Sequence, residues 1–211
     1  MDNTSDFKDF YGSLQLIYDS ALINIVSRLN IIRKYKTANG YRDPIENIKT
    51  RLKSPESMKK KLISKGLEPV SENIPGNIND AAGARVICTY VDDVYEVANT
   101  LAAQKDLNVI TIKDYIKTPK TSGYRSYHMI IEVPIYIGEE YHNVRAELQI
   151  RTLSMDFWAS LEHKIHYKHD IPSRAIIESE LRRCADEVAS VEMNFITIRD
   201  MINAAQKEDE R

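Results

Sequence analysis

One short stretch, residues 144–151, constrains the fold of this 211-residue chain more than any other. Apolar and polar residues alternate along it, and successive side chains of a β-strand point to opposite faces of a sheet. The apolar positions are Val144, Ala146, Leu148 and Ile150, and the polar positions are Arg145, Glu147, Gln149 and Arg151. The pattern therefore predicts a strand with one core face and one polar face.

A second strand is expected just before this one. An apolar run over residues 129–133 follows the segment Ser-Gly-Tyr-Arg-Ser-Tyr-His at 122–128, and residues 134–140 are rich in turn formers. We therefore predict an antiparallel pair joined by a turn over 134–140. Glu147 and Gln149 would form a polar floor, with Tyr124 and His128 beside it. Antiparallel sheets often carry a solvated polar face as well, so the pattern alone leaves both a functional and a solvent-facing surface open.

Composition limits the class of protein. The hydrophobic content of 43% and the charged content of 28% are typical of a globular chain, and no apolar run is long enough to span a membrane. The start of the sequence lacks the pattern of a signal peptide, and the two cysteines have neither a disulfide nor a metal-ligand spacing, so we expect a cytoplasmic protein. A net charge of −2 argues against a broad nucleic-acid surface. Any anion site must be local.

Helical periodicity marks both ends of the chain. Apolar residues recur from Phe10 to Ile32 and predict one long helix that ends at Asn39-Gly40. A second helix is expected over 153–167, and its predicted buried stripe consists of Phe157, Trp158, Leu161 and Ile165. Near its end are His163, His166 and His169, but His169 lies six residues after His163 and off the face of the other two, so we expect no metal site.

The last helix carries a heptad pattern of apolar residues. Its seam consists of Ile177, Leu181, Cys184, Val188, Val191, Phe195, Ile198 and Ile202. This seam either packs on the sheet domain or joins subunits. It is longer than one terminal helix needs in a monomer, so we favour an oligomer contact, with a frayed tail from Gln206. The expected organisation is an N-terminal helix over 1–40, a central domain over 41–170 and a C-terminal helix over 171–211.

The centre of the chain mixes helices and strands. Basic residues are concentrated over 51–65, where Ser54 and Pro55 predict a helix start. This segment is either a solvated lysine face or a cradle for a polyphosphate at the helix N-terminus. Residues 71–79 read as a loop, 86–90 as a central strand, 92–106 as a helix and 107–112 as another strand. The predicted fold class is therefore α/β (α+β) with a mixed sheet flanked by helices.

Five spaced motifs carry a resemblance to a known family. They are Arg51-x-Lys53 with Ser57 and Lys61, Asp80-x-Ala82-Gly83-x-Arg85, the 122–128 segment, Glu147-x-Gln149-Ile150-Arg151-Thr152, and Phe157-Trp158-Ala159-x-x-Glu162-His163. Together, over about residues 40–170, they resemble the synthetase domain of the RelA/SpoT homologues, and the chain length resembles the stand-alone small alarmone synthetases. From the length we expect no hydrolase domain.

The resemblance implies an enzyme and a set of roles. The activity would be transfer of the β,γ-pyrophosphate of ATP to the 3′-hydroxyl of GDP or GTP, making ppGpp or pppGpp, on a nucleotidyltransferase-like sheet in a homotetramer. Asp80 and Glu147 would bind Mg²⁺, and Glu147 would also steer the proton of the attacking hydroxyl. The ATP-binding residues would be Arg51, Lys53, Ser57, Lys61 and Arg85. The residues binding the acceptor guanosine nucleotide would be Lys113, Lys120, Tyr124, His128, Gln149 and Asp156.

Some positions depart from the family pattern. Ser64 stands where an additional Arg is frequent, and Asp156 stands where relatives often carry Asn. No residue ranks GDP, GTP and GMP as acceptors.

Two rival functions remain: a toxin of the same fold that pyrophosphorylates the 3′ end of tRNA, and a noncatalytic nucleotide- or RNA-binding regulator. The weakly acidic charge counts against the first, and intact Asp80, Tyr124 and Glu147 count against the second. RNA stays open as a regulator.

Overall fold

A computed structural model describes residues 3–166 and 174–209 of the chain. The strands are β1 (Ile45–Leu52), β2 (Ala82–Cys88), β3 (Asn108–Asp114), β4 (Tyr127–Ile137) and β5 (Glu140–Thr152). The helices are α1 (Asn3–Tyr11), α2 (Ser13–Ala38), α3 (Pro55–Ser64), α4 (Val91–Ala102), α5 (Leu153–His166) and α6 (Arg174–Asp209), with a short 3₁₀ turn at Ser71–Asn73. Within these ranges, no helix combines the length and apolar character that a membrane crossing needs.

The strands form one five-stranded sheet in the order β1-β2-β5-β4-β3. β2 pairs with β5 in parallel, and the other neighbours are antiparallel. The predicted mixed sheet is therefore confirmed. β5 lies at its centre, which explains the regular alternation along residues 144–151. Its apolar positions are at most 5% exposed and face α2 and α4.

The predicted hairpin is present, but its turn is shorter than expected. β4 continues to Ile137, β5 begins at Glu140, and Gly138 between them has φ +62°. The prediction of a turn over 134–140 was wrong for Pro134 to Ile137. Pro134 pairs with Asn143, whereas the pairing of β3 with β4 reaches only Glu132. Pro134 thus lies where β4 has no second neighbouring strand in the described part of the chain, and proline is tolerated at such an edge.

Two other segments differ from the sequence-based expectation. The N-terminal helix is broken at Gly12, which has φ +53° between α1 and α2, although its end at Asn39 and Gly40 is as predicted. β1 was not predicted, because both faces of this edge strand are largely exposed and its apolar pattern is weak. The helix expected over 92–106 ends at Ala102, and the strand expected at 86–90 begins earlier, at Ala82.

The C-terminal helices pack differently from the predicted stripes. Of the stripe predicted on α5, only Trp158 is buried; Phe157, Leu161 and Ile165 are 59%, 44% and 39% exposed. The reason is that α6 contacts α5 through Leu181, whose carbonyl accepts a hydrogen bond from the Trp158 indole. Met155 and Ala159 are buried with Trp158 instead. The predicted end of α5 at Tyr167 lies outside the described residues.

The heptad seam of α6 is only partly covered. Leu181 is buried, but Val191, Phe195, Ile198 and Ile202 are all at least half exposed. α6 contacts the rest of the chain through Leu181 and through residues outside the seam, namely Ala185, Glu192 and Arg199. The helix continues to Asp209, past Gln206, where fraying was predicted.

Candidate active site

The polar face of the sheet carries a transverse row of functional side chains. The row runs across all five strands in register and consists of Lys49, Arg85, Gln149, His128 and Lys113. The neighbouring row contains Arg51, Gly83 and Glu147. Because the strands fix this register, residues far apart in sequence share one surface. The hypothesis of a functional floor is therefore compatible with the fold.

Gly83 leaves space between Arg51 and Glu147. A Cβ atom at this position would lie 3.8 Å from the Arg51 Cγ atom, and the absence of a side chain opens the surface there. Gly83 lines a cavity of about 230 Å³. Its lining residues are Lys49, Thr50, Arg51, Asp80, Gly83, Ala84, Arg85, Glu147 and Gln149.

Asp80 is held at this cavity by two lysines. Lys61 Nζ lies 2.6 Å from Oδ1, and Lys53 Nζ lies 2.9 Å from Oδ2. Burial works to raise the pKa of Asp80, but the hydrogen bonds from Lys61 and Lys53 outweigh it and hold the pKa below its usual value. The carboxylate is therefore ionised at neutral pH.

The helix that carries Lys61 starts as the sequence predicts. Ser54 Oγ accepts a hydrogen bond from the Ser57 backbone N–H at 3.3 Å and donates one to Ser57 Oγ at 2.8 Å, and Pro55 occupies the first turn. Met58 and Leu62 are buried, which turns Lys61 toward Asp80. The basic segment is thus not simply a solvated lysine face.

Glu147 is the second carboxylate of the cavity. Gln149 Nε2 donates a hydrogen bond to Oε2 at 2.9 Å, and His128 Nδ1 lies 3.4 Å from Oε1. Burial and the charge of Asp80 act to raise the pKa of Glu147. The hydrogen bonds from His128 and Gln149 outweigh both effects, so the pKa lies below its usual value. Glu147 is consequently an ionised, half-buried carboxylate that can accept a proton.

Tyr124 is joined to this carboxylate by hydrogen bonds. Its hydroxyl lies 2.9 Å from His128 Nε2 and accepts a hydrogen bond from Arg151 Nη2 at 2.5 Å. Its ring is half-buried and has Lys120 Nζ at 4.8 Å and Arg151 Cζ at 5.1 Å from the centroid. The ring therefore lies at the rim of the site and not in the interior.

Arg151 connects the two halves of the site. Its guanidinium is almost fully buried and donates to Gln149 Oε1 at 2.8 Å, as well as to Tyr124 and Asp156. Arg85 Nη1 lies 3.3 Å from the same Asp156 Oδ1 atom. Arg85 Nε is buried and has no hydrogen-bond partner within the described ranges. Asp156 is thus held between two arginines, one of which lines the cavity.

The structure brings most of the predicted residues together. Those that line the cavity are Arg51, Asp80, Arg85, Glu147 and Gln149, and those linked to them by contacts are Lys53, Lys61, His128, Tyr124, Lys120 and Asp156. Ser57 and Lys113 are exposed and lie outside the cavity lining. Lys113 shares the register row of His128, and Ser57 contacts Ser54.

The sequence-based site omitted Lys49, Thr50 and Arg151. Arg151 continues the alternation of Glu147 and Gln149, so the periodicity of β5 could have indicated it. Lys49 and Thr50 lie on β1, and no sequence pattern placed that edge strand beside β2.

The donor set fits a metal that shares its shell with a substrate. Asp80 and Glu147 are ionised carboxylates that line one cavity, and Mg²⁺ is commonly bound by one or two carboxylates plus phosphate oxygens and water. Among the described side chains, no cluster of three His, Cys, Asp or Glu could hold a metal alone. His166 and His169 of the histidine group fall outside the described side chains.

Comparisons with known proteins identify the family of this chain. A family model described as "Region found in RelA / SpoT proteins" matches residues 50–172. The chain belongs to the RelA/SpoT family. Within this family it is 39% identical over 206 residues to the GTP pyrophosphokinase YwaC of Bacillus subtilis, covering 96% of this chain and 97% of YwaC.

Solved structures of this family have the same fold. Small alarmone synthetase 2 from Bacillus subtilis matches with a TM-score of 0.78 and 41% identity, over 88% of this chain and 97% of that one. Small alarmone synthetase 1 from Bacillus subtilis, bound to its product pppGpp, matches with a TM-score of 0.80 and 32% identity. The match covers 90% of this chain and 97% of that chain. The predicted family and fold class are confirmed.

Proposed function

We propose that this chain is an ATP-dependent GTP/GDP pyrophosphokinase that makes ppGpp or pppGpp. The observation that carries the proposal is the ionised Glu147, oriented by Gln149 and His128 in the same cavity as ionised Asp80. Pyrophosphoryl transfer depends mainly on positioning and on neutralising charge, which this cation-rich cavity supplies. YwaC is named a GTP pyrophosphokinase, and small alarmone synthetase 1 binds pppGpp, so both agree with this function.

The donor ATP would occupy the cavity between β1 and β2. Arg51 and Arg85 present planar guanidinium groups that can stack on the adenine ring. Lys53 and Lys61 lie beside them, at Asp80, and supply positive charge for the polyphosphate. Ser57, at the N-terminus of α3, adds a hydroxyl near free backbone amides.

Mg²⁺ would be held by Asp80 and Glu147. When bound, the ion neutralises charge on the donor phosphates. Lys53 and Lys61 would then be freed from Asp80 to contact phosphate oxygens, so the present ion pairs keep the cations in place before ATP binds.

The acceptor would bind on the other side of Glu147. The Tyr124 ring offers a stacking surface for guanine, and Asp156 offers carboxylate oxygens to the N–H groups of that base. Lys120 lies over the Tyr124 ring, His128 and Gln149 contact Glu147, and Lys113 pairs with His128 in the sheet. These four side chains would bind the phosphates and ribose of the acceptor. The ionised Glu147 would accept or steer the proton of the 3′-hydroxyl as that oxygen attacks the β-phosphorus atom of ATP and AMP leaves.

One assay tests this function. Purified protein is incubated with Mg²⁺, labelled ATP and, in parallel, GMP, GDP, GTP or tRNA. We expect a 3′-pyrophosphorylated guanosine nucleotide, and we expect Glu147→Gln to abolish it while leaving ATP binding largely intact. Labelling of tRNA alone would support the toxin-like activity instead, and nucleotide binding without turnover would support a regulator.

We also propose the higher-order properties suggested by the sequence. Residues 41–170 would form the synthetase domain between the terminal helices, and a homotetramer would assemble through the exposed apolar residues of α5 and α6. A cytoplasmic location fits substrates such as ATP and GTP.

A further inference from the structure

The loop that carries Tyr124 lies directly against the C-terminal helix. We call residues 121–126 the acceptor loop. A Cβ atom on Gly123 would lie 2.6 Å from the Ala185 Cβ atom and 3.2 Å from the Arg182 Cα atom, and Gly123 has φ +89°. Both the close approach and the left-handed backbone favour glycine at this position. The backbone of the acceptor loop therefore packs directly against α6 at Gly123.

Arg125 fixes this contact. Its Nη1 atom donates to the carbonyl oxygens of Gly123 and Ala185, each at 3.2 Å, and its Nη2 atom donates to Asp186 Oδ1 at 2.8 Å. The guanidinium is largely shielded from solvent, with 20% of the side chain exposed. One side chain thus ties the loop backbone to both the backbone and a carboxylate of α6. Charge-assisted hydrogen bonds of this kind are stronger than neutral ones.

The helix is itself held at several points, so it can serve as a support. The Trp158 indole N–H donates to the Leu181 carbonyl at 3.0 Å, and Ser154 donates to the buried Glu192 at 2.5 Å. Near its C-terminal end, Arg199 pairs with Asp92 at 2.7 Å. α6 is therefore anchored to α5 and to the start of α4 on both sides of the loop contact.

We infer that Arg125 is a positioning residue that uses α6 to hold the Tyr124 ring in place for the acceptor nucleotide. This inference rests on the proposed function, because it requires Tyr124 to contact the acceptor. Arg125 lies one residue from Tyr124, and its contacts point away from the cavity toward Ala185 and Asp186. The donor-side residues Arg51, Lys53 and Lys61 make no contact with α6 among the interactions described. Acceptor binding should therefore depend on this loop contact, and ATP binding should not.

Steady-state kinetics of Arg125→Ala in the full chain tests the inference. We expect the KM for GDP to rise about tenfold, equivalent to about 1.4 kcal/mol, with the KM for ATP and the kcat at saturating GDP changed less than about twofold. Arg125→Lys should recover part of the loss, because an ammonium can still donate to Asp186. An unchanged KM for GDP, or an equal rise in both KM values, would overturn the inference.

Arg183→Ala is the matched control. Arg183 lies on the same helix but pairs only with Glu180 and Glu187 of α6 in the described contacts, so its loss should leave both KM values unchanged. Gly123→Ala provides a second variant that acts on the same contact from the loop side. It should also raise the KM for GDP, and adding Ala185→Gly should restore part of the affinity by removing the 2.6 Å approach. An unchanged KM for GDP in Gly123→Ala would count against the contact.

Calorimetric binding of GDP separates this inference from the proposed function. If the wild type binds GDP without turnover and Arg125→Ala binds it about tenfold more weakly, the proposed function fails while the positioning role stands. If the wild type turns over and Arg125→Ala binds GDP equally well, the function stands while the positioning role fails. A wild type that binds neither GDP nor GTP would overturn both.

Discussion

The side-chain amide of Gln149 donates a hydrogen bond to the Glu147 carboxylate across 2.9 Å. Its orientation is fixed, because Arg151 donates to the amide oxygen of Gln149 at 2.8 Å. A buried arginine therefore determines which end of the amide faces Glu147. This relationship keeps Glu147 both ionised and oriented, and it makes the protonation of Glu147 sensitive to the residue at position 149.

Gln149→Glu should shift the acid limb of the pH–rate profile toward higher pH. The new carboxylate would repel the charge of Glu147 and remove the hydrogen bond that lowers its pKa, so a larger fraction of Glu147 would be protonated at a given acidic pH. A proton acceptor is inactive when protonated. The profile of kcat against pH measures the shift, with Gln149→Ala as the control that removes the hydrogen bond without adding charge. An unshifted acid limb would argue against Glu147 as the proton acceptor.

Asp80→Asn should reduce stability at neutral pH but much less at acidic pH. The pKa of Asp80 is lowered in the folded chain, so its contribution is present above the pKa of the unfolded state and is lost as the pH falls through the folded pKa. Removing the charge leaves Lys53 and Lys61 without their shared partner, at a cost of about 1–3 kcal/mol. Urea denaturation of both proteins at neutral and acidic pH measures the difference. A difference that does not shrink on acidification would contradict this assignment.

Gly83→Val should weaken ATP binding without unfolding the chain. A Cβ atom at this position makes only ordinary contacts with Arg51, at 3.8 Å or more, and a β-branched residue suits a strand. The added methyl groups would occupy the cavity between Arg51 and Glu147. We expect the KM for ATP to rise about tenfold or more while the midpoint of urea unfolding stays near the wild-type value. Gly83→Ala should give a smaller rise. If both variants bind ATP as tightly as the wild type does, ATP does not bind in this cavity.

Phe195→Glu should reduce the size of the assembly. Phe195 is 58% exposed on the seam of α6, so its replacement costs the folded chain little, but a charge would oppose an apolar contact between copies. Light scattering coupled to size-exclusion chromatography measures the mass. Asn194→Glu adds the same charge at the neighbouring exposed position outside the seam and should leave the mass unchanged. If both variants keep the wild-type mass, the seam is not the subunit contact.

The sequence alone determined the features that depend on local periodicity and capping. The alternation from Val144 to Arg151 gave the central strand and its two faces, since apolar residues at every second position can be buried only on one side of a sheet. Ser54 and Pro55 predicted the start of α3. The Ser54 hydroxyl accepts a hydrogen bond from a backbone N–H of the first turn, and Pro55 has no backbone N–H that would need a partner. The spaced motifs identified the family, since their order along the chain is independent of how they meet in space.

Only the tertiary structure decided which of these residues meet. β1 has no strong pattern of its own, and its pairing with β2 is what places Lys49 and Arg51 at the cavity. The predicted stripe on α5 was periodic, yet Phe157 and Leu161 are exposed, because α6 packs against the face of α5 that carries Trp158. The contact of Arg125 with Asp186 joins segments about sixty residues apart. Local patterns specify elements, whereas strand pairing and helix docking depend on long-range contacts that no single window of sequence contains.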